Sequence, residues 1–441
     1  MFEKFKKHIA DRFPFLEGKK LLIAVSGGVD SVVLTHLLQK LKFNISIAHC
    51  NFQLREKESD LDEAFVLNIL QKSYNQTFTK KINTKEFAKK NKLSTQVAAR
   101  NLRYKWFKEL IKEHKFDFIL TAHHADDNLE TFLINLTRGS GIDGFTGIPT
   151  INLKTVRPLL IFSRQEILDY ANKNNIEWRE DKSNNEIKYI RNKIRHQIVP
   201  GLKEINPNLL ETFSKTIENL QQSRDIIDDR VKEIKKEIVT IENNIIKVNV
   251  IKLKKLSNPK AYLFELLKSY HFTEWKDVKN LISAQSGKQI FSATHRLVKH
   301  RNELLLSIRG NNSFCETSFI INKNTSKITN PINLEFKTIK EFLKGDRQTI
   351  CVDKDLLKFP LIVRKWKNGD YFYPSGMKGK KKLSKFFKDE KLSLLDKENI
   401  WLLCSSENEI IWVINKRQDN RFLVNNTSKN IIKISTINKV N

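Results

Sequence analysis

Paired cysteines are missing from this sequence. Its four, Cys50, Cys315, Cys351 and Cys404, lie far apart and none forms a C-x-x-C step, which leaves neither a disulfide framework nor a zinc knuckle to organise the chain. They read as small buried apolar residues of a protein kept in a reducing compartment. Long apolar runs are missing too. No segment reaches the ~18 uninterrupted apolar residues that a membrane-spanning helix needs. The opening stretch to Phe13 mixes apolar residues at helical spacing with acids and bases, unlike the apolar centre of a signal peptide. A soluble, cytoplasmic chain is expected. There is no internal repeat and no G-x-x-x-x-G-K-[ST] loop, which excludes a Walker-type phosphate site.

Acid is scarce relative to base. Against 79 Lys and Arg stand 50 Asp and Glu, a net charge of +29; that excess favours a large polyanionic partner, with RNA, DNA and an anionic membrane all compatible. At 441 residues and 40% hydrophobic content, the chain is long enough for two or three buried cores.

Residues 20 to 150 alternate short apolar runs with helical patterns: a strand at 21–25, a helix from Ser31, a strand at 45–48, a helix near 57–72 and a strand at 116–121. This alternation predicts an α/β fold, a Rossmann-like parallel sheet with helices on both faces. Val32, Val33, Leu37, Leu38 and Leu41 form the stripe that packs the first of these helices on the sheet. Ser163 and Glu166 make a capping box ahead of Ile167, Leu168 and Ala171. From 203 to 240 a long charged helix reads as a connector, and 245–309 as strands with two helices. Asn311, Asn312, Asn322, Asn324, Asn330 and Pro331 punctuate a boundary before a basic, strand-rich segment. The expected division is a catalytic domain over 1–215, a small helical α+β middle domain over 216–330 and a strand-rich α+β C-terminal domain over 331–441.

Two motifs carry chemistry. SGGVDS (26–31) stands between a buried strand and a helix, where backbone N–H groups close around an anion and the helix dipole adds positive charge. TAHHADDNLET (121–131) begins at the end of another strand, the edge at which open α/β sheets bind ligands. On its helix Leu129, Phe132, Leu133 and Leu136 form the expected buried stripe, which turns Asp126, Asp127 and Glu130 toward a crevice. AARNLRY (98–104) sets Arg100, Arg103 and Tyr104 on one helical face, suited to phosphate, and a glycine-rich loop spans 136–148.

The hexapeptide resembles the loop of the PP-loop ATP pyrophosphatases, which cleave ATP between its α and β phosphates and pass AMP to a substrate oxygen. In order, SGGVDS, AARNLRY, TAHHADDNLET, LTRGSGIDGFTGI, RPLL (157–160), WREDKSN (178–184) and YIRNKIRHQIVP (189–200) are similar to the tRNA(Ile)-lysidine synthases. So are RKWKNGD (364–370), YPSGM (373–377), KKLSKFF (381–387) and IWV (411–413) with Arg417, Arg421 and Phe422. The resemblance implies ATP as co-substrate with Mg²⁺, free L-lysine, and an isoleucine tRNA with a CAU anticodon whose wobble cytidine becomes lysidine. It implies no membrane partner and leaves a homodimer open.

On that resemblance, Ser26, Gly27, Gly28, Val29, Asp30 and Ser31 would bind ATP, with Asp30 and Asp127 as Mg²⁺ ligands. Asp30, His123, Asp127 and Arg100 would be catalytic, and Asp126 and Glu130 would receive the lysine amine. Arg103, Arg191, Arg195, Arg364, Lys381, Lys382 and Lys385 would contact tRNA, the lysines interleaving with Phe386 and Phe387. Two departures stand out. The family's H-V-N-H-x-L-R segment reads here HCNFQLR, with His49 and Arg55 in register but Phe52 in place of the second histidine, and the usual glycine before Arg417 is replaced by Asn415 and Lys416. Three other readings are open: sulfur transfer to tRNA, which generally uses paired cysteines; amide synthesis, which does not explain two basic appended domains; and RNA binding without catalysis.

Overall fold

The computed structural model describes residues 1–54, 57–70, 76–179, 190–310, 318–341, 345–425 and 428–437. Arg55, positions 180–184 of WREDKSN, Tyr189, Asn311, Asn312 and Cys315 fall outside them. The chain forms two compact units, Met1–Asp229 and Arg230–Asn441.

The first unit opens with α1 (Phe2–Arg12), β1 (Leu21–Ala24), α2 (Val29–Lys40), β2 (Ile45–Asn51), α3 (Lys57–Phe65), β3 (Thr77–Lys81), α4 (Thr84–Asn91) and α5 (Thr95–Glu113). It continues with β4 (Phe118–Leu120), α6 (Ala125–Thr137), α7 (Ile142–Phe145), β5 (Ile151–Asn152), β6 (Thr155–Val156), α8 (Arg164–Lys173), α9 (Ile190–Lys193) and α10 (Val199–Ile205). The long α11 (Leu209–Ile238) begins in this unit and ends in the second. The six strands lie in the order β3-β2-β1-β4-β6-β5, parallel except for β5. Strand order therefore reverses between β1 and β4, and their C-terminal ends flank the crevice in which doubly wound sheets take ligands.

Because successive strand residues point to opposite faces, β1 feeds two cores. Leu21 and Ile23 pack with Phe5 and Ile9 of α1 and with Val33, Leu34 and Leu37 of α2. Leu22 on the other face meets Ala48, Ile119 and Trp106, Phe107 and Leu110 of α5. Continuous apolar burial on both faces is what a parallel sheet requires. Ser163 and Glu166 form the expected capping box at α8.

Three local expectations are corrected. The helix near 57–72 is α-helical only to Phe65 and winds on as a π-helix over Val66–Leu70. On α6 the burial is rotated: Leu136 is 55% exposed while Glu130 is 1% exposed, because the segment carrying α9 and α10 supplies arginines that neutralise the glutamate. Leu41 is half-buried beside the α2 core rather than within it.

In the second unit, strands Val239–Glu242, Ile245–Asn249, Glu303–Ile308, His295–His300 and Gln289–Phe291 make an antiparallel sheet. Three helices between 250 and 280 cover it around Leu253, Leu263, Val278, Leu297 and Leu304. Beyond 318, a five-stranded and a four-stranded antiparallel sheet share a core of Val352, Val363, Leu403, Trp412 and Ile434. Asn415 adopts φ 59° before Arg417, the left-handed region that asparagine tolerates better than most residues, so the turn forms without the glycine. A bidentate pair from Arg296 to Glu398 and a small cluster of Val298, Leu305 and Leu395 join the two parts of this unit. No described helix is long and apolar enough to cross a membrane.

Candidate active site

The loop after β1 builds its own scaffold. Ser31 Oγ donates to the Gly28 carbonyl at 2.9 Å and accepts from the Ser26 N–H at 3.2 Å. Ser26 Oγ lies 3.3 Å from Ser31 Oγ. Gly27 holds φ +90°, a conformation that explains a glycine there. The loop delivers Asp30 into the first turn of α2, at the N-terminal end where the helix carries partial positive charge.

Facing it across the switch point, the loop after β4 carries His123 and His124 into α6. Thr121 Oγ1 lies 2.9 Å from His123 Nδ1 and orients that ring. The imidazole of His124 sits among three carboxylates: Asp30 at 3.8 Å, Asp126 at 3.6 Å and Asp127 at 3.5 Å. Between the two loops lies a cavity of about 220 Å³, lined by the polar Ser26, Asp30, Ser31, Arg103, His123, Asp127 and Arg191 and by Ala48, Cys50, Phe52 and Phe107.

The electrostatics follow from this crowding. Burial, with the neighbouring Asp127 carboxylate, outweighs the attraction of His124 and raises Asp30 above the ordinary aspartate range. Burial opposes charge on Asp127, yet His124, Arg191 and His123 outweigh it and hold that carboxyl low. Burial likewise disfavours a charged His124, but Asp127, Asp126 and Asp30 together raise it. His123 is pushed down to about 4, mainly by burial, so its ring is neutral at physiological pH. Asp126 is driven well below its usual range despite burial, by His124, by the Lys203 ammonium at 2.7 Å and by the Arg164 N–H at 2.8 Å.

Placement differs from expectation for several residues. Arg103 lines the cavity, whereas Arg100 is exposed with its guanidinium 5.0 Å from the Tyr104 ring. Arg191 and Arg195, expected on a tRNA surface, point inward: their Nε atoms donate to Glu130 at 2.7 and 2.5 Å, and both reach Asp127 at 3.2 Å. Glu130 thus faces two guanidiniums rather than an open crevice. Arg364 is buried and bidentate to Asp370. Lys381 pairs with Asp389 at 2.8 Å, while Lys382 and Lys385 are exposed. His124, Cys50, Phe52 and Lys203 had no assigned role. The adjacency of His124 to His123 in the motif pointed to it, Cys50 and Phe52 lie in the HCNFQLR segment that the resemblance marks, and nothing in local sequence pointed to Lys203. Cys50 lines the cavity, where burial pushes its thiol up to about 12; Cys351 and Cys404 are buried, as expected.

Asp30 Oδ1 is buried without a hydrogen-bond partner, a hard oxygen acceptor left for a cation. Among the described residues no cluster of three or more His, Cys, Asp or Glu side chains is arranged to hold a metal by itself. Two carboxylates completed by phosphate oxygens and water are the usual Mg²⁺ arrangement, and the residues present fit it.

A glycine loop at the end of β1, an acid-and-histidine turn at the end of β4 and the cavity between them define a PP-loop enzyme that uses ATP, and the PP-loop domain family matches residues 1–202. Residues 241–309 match the TilS substrate binding domain and 361–435 the TilS substrate C-terminal domain. The tRNA(Ile)-lysidine synthase of Parabacteroides distasonis is 37% identical over 426 residues, covering 95% of this chain and 96% of the relative. That of Bacteroides thetaiotaomicron is 37% identical over 436 residues, 97% of each, and that of Bacillus subtilis 28% identical over 425 residues, 90% of each. The chain belongs to the tRNA(Ile)-lysidine synthase family of ATP-dependent ligases.

Proposed function

We propose that the protein converts the wobble cytidine of a CAU-anticodon isoleucine tRNA to lysidine. The C2 oxygen of the cytidine attacks the α-phosphorus of ATP and expels pyrophosphate. The ε-amine of free L-lysine then attacks C2, and AMP departs with the former C2 oxygen. The observation that carries this reading is the meeting of the SGGVDS loop, which brings Asp30, with His123 and Asp127 around one cavity, Asp30 and Asp127 sharing the His124 ring behind it, in a chain related along nearly its whole length to lysidine synthases.

In this reading Ser26, Gly27, Gly28, Val29 and Ser31 cradle the pyrophosphate. Asp30 and Asp127 would hold Mg²⁺, which supplies positive charge to the leaving group. Neutral His123 offers a hydrogen bond to the nucleotide. Arg103, which lines the cavity, takes the charge-compensating role in place of the exposed Arg100. Lysine attacks only as the neutral amine, whose unperturbed pKa is about 10.4. Asp126 and Glu130 are the proposed acceptors for it, each exchanging a resident cation: Lys203 at the first, an arginine at the second. Lys382 and Lys385 are the proposed phosphate contacts of the C-terminal segment. The division at 215 and 330 is retained as a proposal, since the middle and C-terminal segments keep separate core clusters.

Incubation with ATP, Mg²⁺, labelled lysine and the isoleucine tRNA should give a lysine-dependent mass gain on the cytidine with one AMP released. Methionine tRNA with the same anticodon should give none. A chain that releases no AMP, or releases it without lysine incorporation, overturns the proposal.

A further inference from the structure

WREDKSN is among the motifs that the proposed chemistry leaves without a task. After α8, Ile176 and Trp178 pack against the first core and carry the chain to the back of the SGGVDS loop. There the Arg179 N–H donates to the Gly27 carbonyl at 3.0 Å. The same residue sends its side chain the other way: Nε donates to Asp62 Oδ1 at 2.7 Å and Nη2 to Glu58 Oε2 at 2.9 Å, both on α3. The far end of α3 lies beside the loop: Phe65 and Val66, which follows it, pack in the same core as Val25 and Val29 on either side of the loop, and both would be in van der Waals contact with a side chain at Gly27. Gly27 is therefore bonded by the Arg179 backbone and flanked by the α3 end, and the Arg179 side chain ties those two neighbours together.

We propose that Arg179 is a positioning residue for ATP, fixing the Gly27 turn in its anion-binding conformation by clamping α3 to the segment that follows α8. It does not line the cavity, so it acts through the loop. A carbonyl anchored on the outer side of the turn keeps the loop N–H groups from rotating away from the phosphate position; φ +90° at Gly27 is one of several conformations open to a glycine, and the anchor selects it. The clamp is a charge-assisted, two-carboxylate contact of one guanidinium, a geometry that lysine reproduces only in part. This inference rests on the loop being the ATP phosphate site.

The test is ATP titration of the full-length protein with Mg²⁺, alongside steady-state kinetics, for Arg179→Ala, Arg179→Lys and Asp62→Ala. If loss of the clamp leaves the loop competent about one-tenth of the time, the apparent Kd and KM for ATP rise roughly tenfold. The kcat at saturating ATP and the KM for lysine stay within about twofold, because neither depends on a loop that ATP has already ordered. Arg179→Lys should recover part of the ATP affinity, and the Arg179→Ala/Asp62→Ala double variant should be no worse than the poorer single, as expected of two residues acting as one contact. An ATP Kd unchanged in Arg179→Ala overturns the inference, as does an equal fall in kcat and in lysine affinity, which would mark a general structural defect. Wild-type protein that binds ATP yet makes no lysidine would sink the proposed function while leaving the Arg179 comparison readable. Wild-type protein that binds no ATP sinks both.

Discussion

Asp30 and Glu130 show how two acids in one site reach opposite situations. Asp30 has a buried oxygen with no partner and an upward shift caused first by burial, so it gains most from a cation. Asp30→Asn removes the charge and keeps the shape. It should abolish pyrophosphate release while leaving the folded protein intact, as read by a pyrophosphate assay beside circular dichroism; residual release near the wild-type rate would refute the metal-ligand role. Glu130 is already satisfied by Arg191 and Arg195. Stripping a buried pair of one partner costs about 3–5 kcal/mol, and these arginine side chains are 37% and 20% exposed. Glu130→Ala should therefore lower stability by roughly 2–3 kcal/mol after discounting for solvent screening. Denaturant titration of the first transition checks this. Glu130→Gln, which keeps the shape, should spare adenylation and raise the lysine KM; an unchanged lysine KM would remove Glu130 from the lysine site.

At the level of elements, α8 is set by a reciprocal cap and by a contact to α1. Ser163 Oγ accepts from the Glu166 N–H, the Glu166 carboxylate accepts from the Ser163 N–H at 2.7 Å, and Lys4 adds an ammonium at 3.0 Å. Ser163→Ala should cost about 1 kcal/mol, the usual value of an N-cap. Burial acts to raise the Glu166 carboxyl, and these donors outweigh it, so Glu166 titrates below the ordinary glutamate range. A carboxyl depressed in the folded state contributes stability at pH values above its unfolded pKa and loses it as pH falls through its folded pKa. The stability gap between wild type and Glu166→Gln should thus be full at neutral pH and fade with acid in that window. Thermal melts at stepped pH would show it, and a gap that widens with acid would contradict the assignment. The same element sets the position of Trp178 and Arg179, because the chain leaving α8 carries Trp178 into the core beside the loop.

Over the whole molecule, the net charge of +29 makes tRNA association a counterion-release process. The logarithm of the association constant should fall linearly with the logarithm of salt. Lys382→Ala and Lys385→Ala should each weaken binding and lower the magnitude of that slope by about 1. Lys381→Ala should change it less, because that ammonium is committed to Asp389, and Arg364→Ala should act on folding through its lost pair with Asp370. Filter binding across a salt series separates these outcomes, and slopes identical to wild type for Lys382 and Lys385 would exclude them as phosphate contacts.

Much of the molecule was legible in one dimension because its determinants are local. The period of the apolar residues placed β1, α2, β2 and β4, the Ser163–Glu166 spacing placed the start of α8, and the order of motifs named the family. The two loops that meet in the site were both visible, since each is a strand end followed by a helix start. Tertiary structure decided which face of each helix is used. Glu130 reads as exposed from its helical period, and is buried because arginines sixty residues later neutralise it. Arg103 rather than Arg100 enters the cavity because α5 packs through Trp106 and Phe107, which fixes its rotation. The support of Gly27 by Arg179 and α3 joins residues more than 100 positions apart, a closure that no local spacing encodes. Periodicity fixes elements because it repeats within a few residues; charge pairing across the fold does not, and in this protein it is charge pairing that shapes the site.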